Sequence, residues 1–148
     1  VLGHHGIKLI GMGTALIENT TVISANFVDL RADYGSTWNG ELIIRNCKYY
    51  PTAVLNTIVN ADNSEDHDFG YTCYLPQRIE IDGFFVHGIG NVNVFNNVNS
   101  KHNSKDYNPP YPVVTTQEIV VKDFTCLPFG KLFVSSNKKM FDVEITYQ

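Results

Sequence analysis

Apolar and polar residues alternate along this chain with a period of two. Short runs rich in Val, Ile and Phe recur from end to end: IKLI, FVDL, ELIIRN, RIEIDG, NVNVF, EIVVKD, KLFVS and DVEIT. Gly, Asn, Asp, Ser and Pro bound each run. No stretch of ten residues carries a convincing set of apolar positions at i, i+3 and i+4. Alternation of this kind predicts half-buried strands, and the bounding residues predict turns. The expected fold class is all-β.

The strands also repeat. Leu42 to Tyr49 aligns with Ile79 to Val86 and with Ile119 to Cys126. The shared pattern is apolar, any, apolar, polar, then Asn, Gly or Asp, then Cys or Phe, any, apolar. A weaker copy runs through Ala15, Ile17, Asn19, Thr20 and Val22. Asn46, Gly83 and Asp123 occupy the same place in three copies, and these residue types tolerate positive φ best. Each unit therefore reads as a strand, a one-residue bend and a second strand. A further strand follows each unit, in NFVDLR, AVLNTIV, NVNVF and KLFVS. The unit starts at 15, 42, 79 and 119 lie 27, 37 and 40 residues apart.

Constant strands with growing spacers describe a coil with variable outer loops. Stacked coils bury the apolar edges that one coil alone exposes. The expected ladders are Leu42/Ile79/Ile119, Ile44/Ile81/Val121 and Cys47/Phe84/Phe124. About five coils, counting a last partial one at FDVEITY, would stand roughly 20–24 Å tall. The opening stretch GIKLIGMGTALIENTTV resembles the entry into a right-handed parallel β-helix of the pectate-lyase-like superfamily. Such domains occur in secreted polysaccharide lyases and hydrolases, and in tail spikes and appendages of bacteriophages. The resemblance implies one β-helix domain over residues 1–148, and a first residue of Val1 in place of Met reads as a piece of a longer chain. The resemblance also implies an extracellular, cell-surface or virion setting and a polysaccharide or surface-glycan partner. It brings no catalytic motif.

One motif is written twice. DYGSTW runs from Asp33 to Trp38 and DFGYTC from Asp68 to Cys73, with a degenerate third copy at Asp106-Tyr107-Asn108. The three aspartates precede Leu42, Ile79 and Ile119 by 9, 11 and 13 residues. Each sits in the loop that feeds the same strand, so stacked coils would stack these loops. As a structural signal, Asp followed two residues later by Gly or Asn marks a turn. As a functional one, Tyr34, Trp38, Phe69, Tyr71 and Tyr107 offer aromatic faces to sugar C–H faces. Asp33 and Asp68 would then be the candidate acids, since glycoside hydrolysis needs two carboxylates about 5–9 Å apart. His67, flanked by Asp66 and Asp68, is a candidate general acid or base. Arg31 is the cation best placed to steady a uronate carboxylate. The long loop NVNSKHNSKDYNPPYPVVTTQ adds Pro110 and Tyr111, which suit sugar or protein contact.

Composition narrows these readings. The chain has 148 residues, 43% hydrophobic and 18% charged, with net charge −4. That balance lacks the clustered Lys and Arg of a nucleic-acid interface. No apolar run approaches the length of a membrane-spanning helix. Cys47, Cys73 and Cys126 follow no metal spacing and read as free, mostly buried small hydrophobes. Asp62, Glu65, Asp66 and Asp68 could gather oxygens for Ca²⁺, but they lack the order of a calcium loop, so no cofactor is expected. A short stack leaves strand edges open at both ends, and flanking domains or a homotrimer would cover them. Two functions follow from different classes. One is a carbohydrate-recognising or structural module. The other is a polysaccharide hydrolase or lyase using loop carboxylates.

Overall fold

The computed structural model describes residues 1–3, 5–11, 13–31, 36–61, 70–88, 91–96, 111, 113–127, 132–134 and 144–148. Among them lie thirteen strands and no helix: β1 (Ile7–Leu9), β2 (Ala15–Glu18), β3 (Thr21–Ser24), β4 (Asn26–Leu30), β5 (Leu42–Pro51), β6 (Leu55–Asn60), β7 (Cys73–Tyr74), β8 (Arg78–His87), β9 (Asn91–Asn96), β10 (Val113–Val114), β11 (Glu118–Leu127), β12 (Leu132–Val134) and β13 (Glu144–Tyr147). They form three sheets, and every pairing between them is parallel.

The long sheet has the order β13-β11-β8-β5-β2, with β3 also paired to β5. The second sheet has the order β1-β4-β6-β9-β12, and the third pairs β10 with β7. The chain alternates between the long and second sheets as it advances. Strands from neighbouring repeats therefore lie side by side, and consecutive strands lie in different sheets, except β2 and β3, which both pair with β5.

The ladders read from the repeats are in register. Leu42 pairs with Ile79 and Ile79 with Ile119; Ile44 pairs with Ile81 and Ile81 with Val121; Cys47 pairs with Phe84 and Phe84 with Phe124. The earlier copy joins them through Ala15 with Leu42 and Ile17 with Ile44. Leu42, Ile44, Ile79, Ile81 and Ile119 are wholly buried. Each such side chain stabilises the fold by about 1.5–3 kcal/mol relative to exposure.

The bend residues behave as their chemistry requires. Asn19, Asn46 and Asp123 have φ of 52°, 52° and 45°, and Gly83 has 67°. One left-handed residue advances the in/out alternation by a step. In β8, Ile79 and Ile81 face the core before Gly83, and Phe84 and Val86 face it after. Both halves of the strand thus bury a face. A side chain at Gly83 would also start 2.6 Å from the Asn46 Oδ1.

Aromatic rings fill the core beside the second halves of the long strands. Phe84 meets Phe27 edge-on with centroids 4.9 Å apart and stacks on Phe124 at 5.9 Å. Tyr49 is buried with them, and its phenol donates a hydrogen bond to the Ala25 carbonyl. Burial holds the Tyr49 hydroxyl protonated, raising its pKa well above the ordinary phenol value.

A polar row closes the second sheet. Asn96 Nδ2 donates to Asn60 Oδ1 (2.8 Å), and Asn60 Nδ2 donates to Asp29 Oδ1 (2.9 Å). Asn26 Nδ2 also donates to that oxygen at 2.9 Å, and His5 Nδ1 lies 3.2 Å from Asp29 Oδ2. Asp29 is buried. Its carboxylate accepts where a lone buried charge would be costly.

The cysteines are free, as their spacing implies. Cys47 and Cys73 are buried, and burial raises both thiol pKa values; Cys126 is only partly covered. The Cys47 thiol donates to the Arg45 carbonyl at 3.2 Å.

Candidate functional site

The loops that feed the long sheet stack where they are described. They leave the second sheet from β4, β6 and β9, whose residues Asp29, Asn60 and Asn96 are in register. They return side by side on the third sheet. Thr37 bridges Tyr74, Cys73 pairs with Val113 and Tyr74 pairs with Val114. Trp38 N–H donates to the Tyr74 carbonyl (3.0 Å), Tyr74 N–H to Ser36 (3.0 Å) and Leu75 N–H to Val114 (2.9 Å).

Side chains knit the same segments together. Gln77 Nε2 donates to the carbonyls of Leu75 (2.9 Å) and Thr115 (3.2 Å). Thr116 Oγ1 donates to the Pro76 carbonyl at 2.7 Å, and Gln117 N–H to the Gln77 carbonyl at 3.0 Å. Ser36, Thr115 and Thr116 are buried, so their polar groups serve the scaffold.

Three tyrosines stand on this scaffold. Tyr71, Tyr74 and Tyr111 are 48%, 40% and 43% exposed. The pairing of Cys73 with Val113 sets an offset of 40 between the segments, which makes Tyr111 the repeat equivalent of Tyr71. Cys73 and Leu75 point into the core, so Tyr74 points outward between them. The result is one exposed ring on a paired strand and two more beside it, each with an apolar body and a hydroxyl tip.

The remaining candidates fall in different places. Trp38 is 4% exposed and belongs to the core, so its faces are occupied by protein. The reason is local: a side chain at Gly11 would start 2.1 Å from the Trp38 ring, and glycine makes room for it. Among the described residues, the Trp38 Nε1 has no hydrogen-bond acceptor. Arg31 opens the first feeding loop. Its N–H donates to the Leu9 carbonyl at 2.9 Å, and its carbonyl accepts from Ser36 Oγ at 2.6 Å. That second bond joins the two ends of the loop containing Asp33. Asp33, Tyr34, His67, Asp68, Phe69 and Tyr107 lie outside the described residues, as do Asp62, Glu65 and Asp66. Among the described residues, no cluster of His, Cys, Asp and Glu could hold a metal ion.

The outer face of the long sheet carries two further groups absent from the sequence-derived candidates. Before the bend, Arg78 joins three carboxylates: Glu41 at 3.2 Å, Glu80 at 3.0 Å and Glu118 at 3.2 Å. Arg45 and Lys122 each approach Glu80 at 3.6 Å. The hydrogen bond from Arg78 is the main cause holding the Glu80 carboxyl below its usual range. After the bend, His87 stacks on Phe85 (6.1 Å) and meets Tyr50 edge-on (5.9 Å). His87 is the last residue of β8 and lies on the sheet. Neither group shows along the chain; each assembles only when neighbouring repeats lie side by side.

No protein-family profile, no curated protein and no solved structure matches this chain.

Proposed function

We propose that this chain is a segment of a right-handed parallel β-helix of the pectate-lyase-like kind, and that it serves as a carbohydrate-recognising module on a secreted, cell-surface or phage-appendage protein. The coil reading is supported by the chain's alternation between two parallel sheets and by a positive-φ residue at the same place in four repeats. Right-handed connection is the strong rule for parallel strands joined through a crossover.

One observation carries the carbohydrate reading. Tyr74 projects from a backbone fixed by hydrogen bonds between adjacent loops, and Tyr71 and Tyr111 are exposed at equivalent places two residues before the paired strands. Exposed tyrosine rings stack on the C–H faces of sugars, and their hydroxyls meet sugar hydroxyls. A glycan array probed with the whole chain tests this. Tyr71→Ala and Tyr111→Ala should each weaken the retained glycan about tenfold, with the melting temperature held. Retention of no glycan would overturn the reading. Release of reducing ends that disappears in Asp33→Asn or Asp68→Asn would replace it with the hydrolase or lyase alternative.

A further inference from the structure

The outer face of the long sheet after the bend differs from the rest of the surface. It presents two rows across four strands. Thr21, Lys48, Phe85 and Thr125 form one row by register. Ile23, Tyr50, His87 and Leu127 form the other. Leu2 extends the second row by its bridge to Ile23. Ile23, Leu127 and Leu2 are exposed. Neither row contains a carboxylate, in a chain of net charge −4. An exposed aromatic and aliphatic stripe of this kind marks an interaction surface.

We propose that this face is a self-complementary contact with a second copy of the chain, related by a two-fold axis parallel to the strands and midway between β5 and β8. Such an axis reverses the order of the strands and keeps each row opposite itself. Ile23 then faces the partner's Leu127, and Tyr50 faces the partner's His87. Thr21 faces the partner's Thr125. Lys48 faces the ring of the partner's Phe85, a cation–π arrangement. At the rim, just before the bend, the row Glu18, Arg45, Asp82, Lys122 alternates in sign along its register. Reversal sets Glu18 opposite the partner's Lys122 and Arg45 opposite the partner's Asp82. A two-fold axis running across the strands along this row would instead set every charge against its like. Among the described residues, Glu18 and Asp82 enter no ion pair within the chain.

The size of the face fixes the strength. Four strands about 4.8 Å apart and three rows about 6.8 Å apart give a footprint near 400 Å² per copy. The pair buries about 800 Å², below the ~1,200 Å² of a standard interface, so the dimer is weak and reversible. The proposal is independent of the proposed glycan site, which lies at and beside the third sheet.

Sedimentation equilibrium of the whole chain, from about 5 µM to about 1 mM, tests it. The expected result is a monomer–dimer equilibrium. His87→Glu should weaken dimerisation at least tenfold, and so should Glu18→Lys or Lys122→Glu alone. The double exchange Glu18→Lys with Lys122→Glu should restore it, because only a reversed partner brings those two positions together. Circular dichroism and melting confirm that each variant is folded. A chain that stays monomeric at the highest concentration would overturn the proposal. So would a dimer or trimer unmoved by these substitutions, or a double exchange that fails to restore association.

Discussion

The long strands β5, β8 and β11 have two halves that are alike inside and unlike outside. Before the bend, the inner face is a ladder of Leu, Ile and Val, and the outer face is an ion-pair network around Arg78 and Glu80. After it, the inner face is Cys, Phe, Tyr and Val, and the outer face is Tyr50, Phe85 and His87 without a carboxylate. The backbone ladder is common to both. The difference teaches that this architecture constrains what points inward and leaves the outward positions free to take on separate tasks.

That comparison can be broken from the inside first. Ile81→Ala, before the bend, and Phe84→Ala, after it, should each cost about 3–4 kcal/mol in urea unfolding, since both remove wholly packed side chains. If one half loses less than about 1 kcal/mol, the two interiors are not equivalent. Next comes the bend itself. Gly83→Ala should cost about 1–2 kcal/mol, because a Cβ is strained at positive φ and would press on Asn46 Oδ1. Asn46→Gly should be nearly neutral by the same measurement.

The outer faces sharpen the contrast. Arg78→Leu should cost about 1 kcal/mol at low salt and less at high salt, since the Arg78 side chain is 30% exposed. Its partner adds a pH dependence. The Glu80 carboxyl titrates lower in the folded chain than in the unfolded one. Its stabilisation is therefore complete above the unfolded value, near pH 4.5, and is lost as pH falls through the folded one. Acid titration of the melting temperature should show a shallower decline in Glu80→Gln than in the parent. The smallest effects belong after the bend. Tyr50→Thr and Phe85→Ser should alter monomer unfolding by no more than about 0.5 kcal/mol.

Much of the interior was readable in the residues. Period two located the strands, and the aligned repeats placed Ile44, Ile81 and Val121 in one register. Asn46, Gly83 and Asp123 were recognisable as bends because few residue types accept positive φ. Three things were not readable. The third sheet rests on two-residue strands, Cys73–Tyr74 and Val113–Val114, too short to show a period. Trp38, expected to offer a ring to a sugar, lies in the core, and that outcome depends on the space left by Gly11, a contact 27 residues away. The outward rows after the bend are invisible along the chain. Lys48, Phe85 and Thr125 become neighbours only once three repeats lie edge to edge.

The polar row of Asn96, Asn60 and Asp29 carries a direction. An amide donates on one side and accepts on the other, so Asn60 relays a bond from one neighbour to the next. A carboxylate only accepts, and Asp29 therefore terminates the relay. The row has a head and a tail, and the side chain that ends it is an anion whose remaining oxygen is met by His5, from the turn before β1.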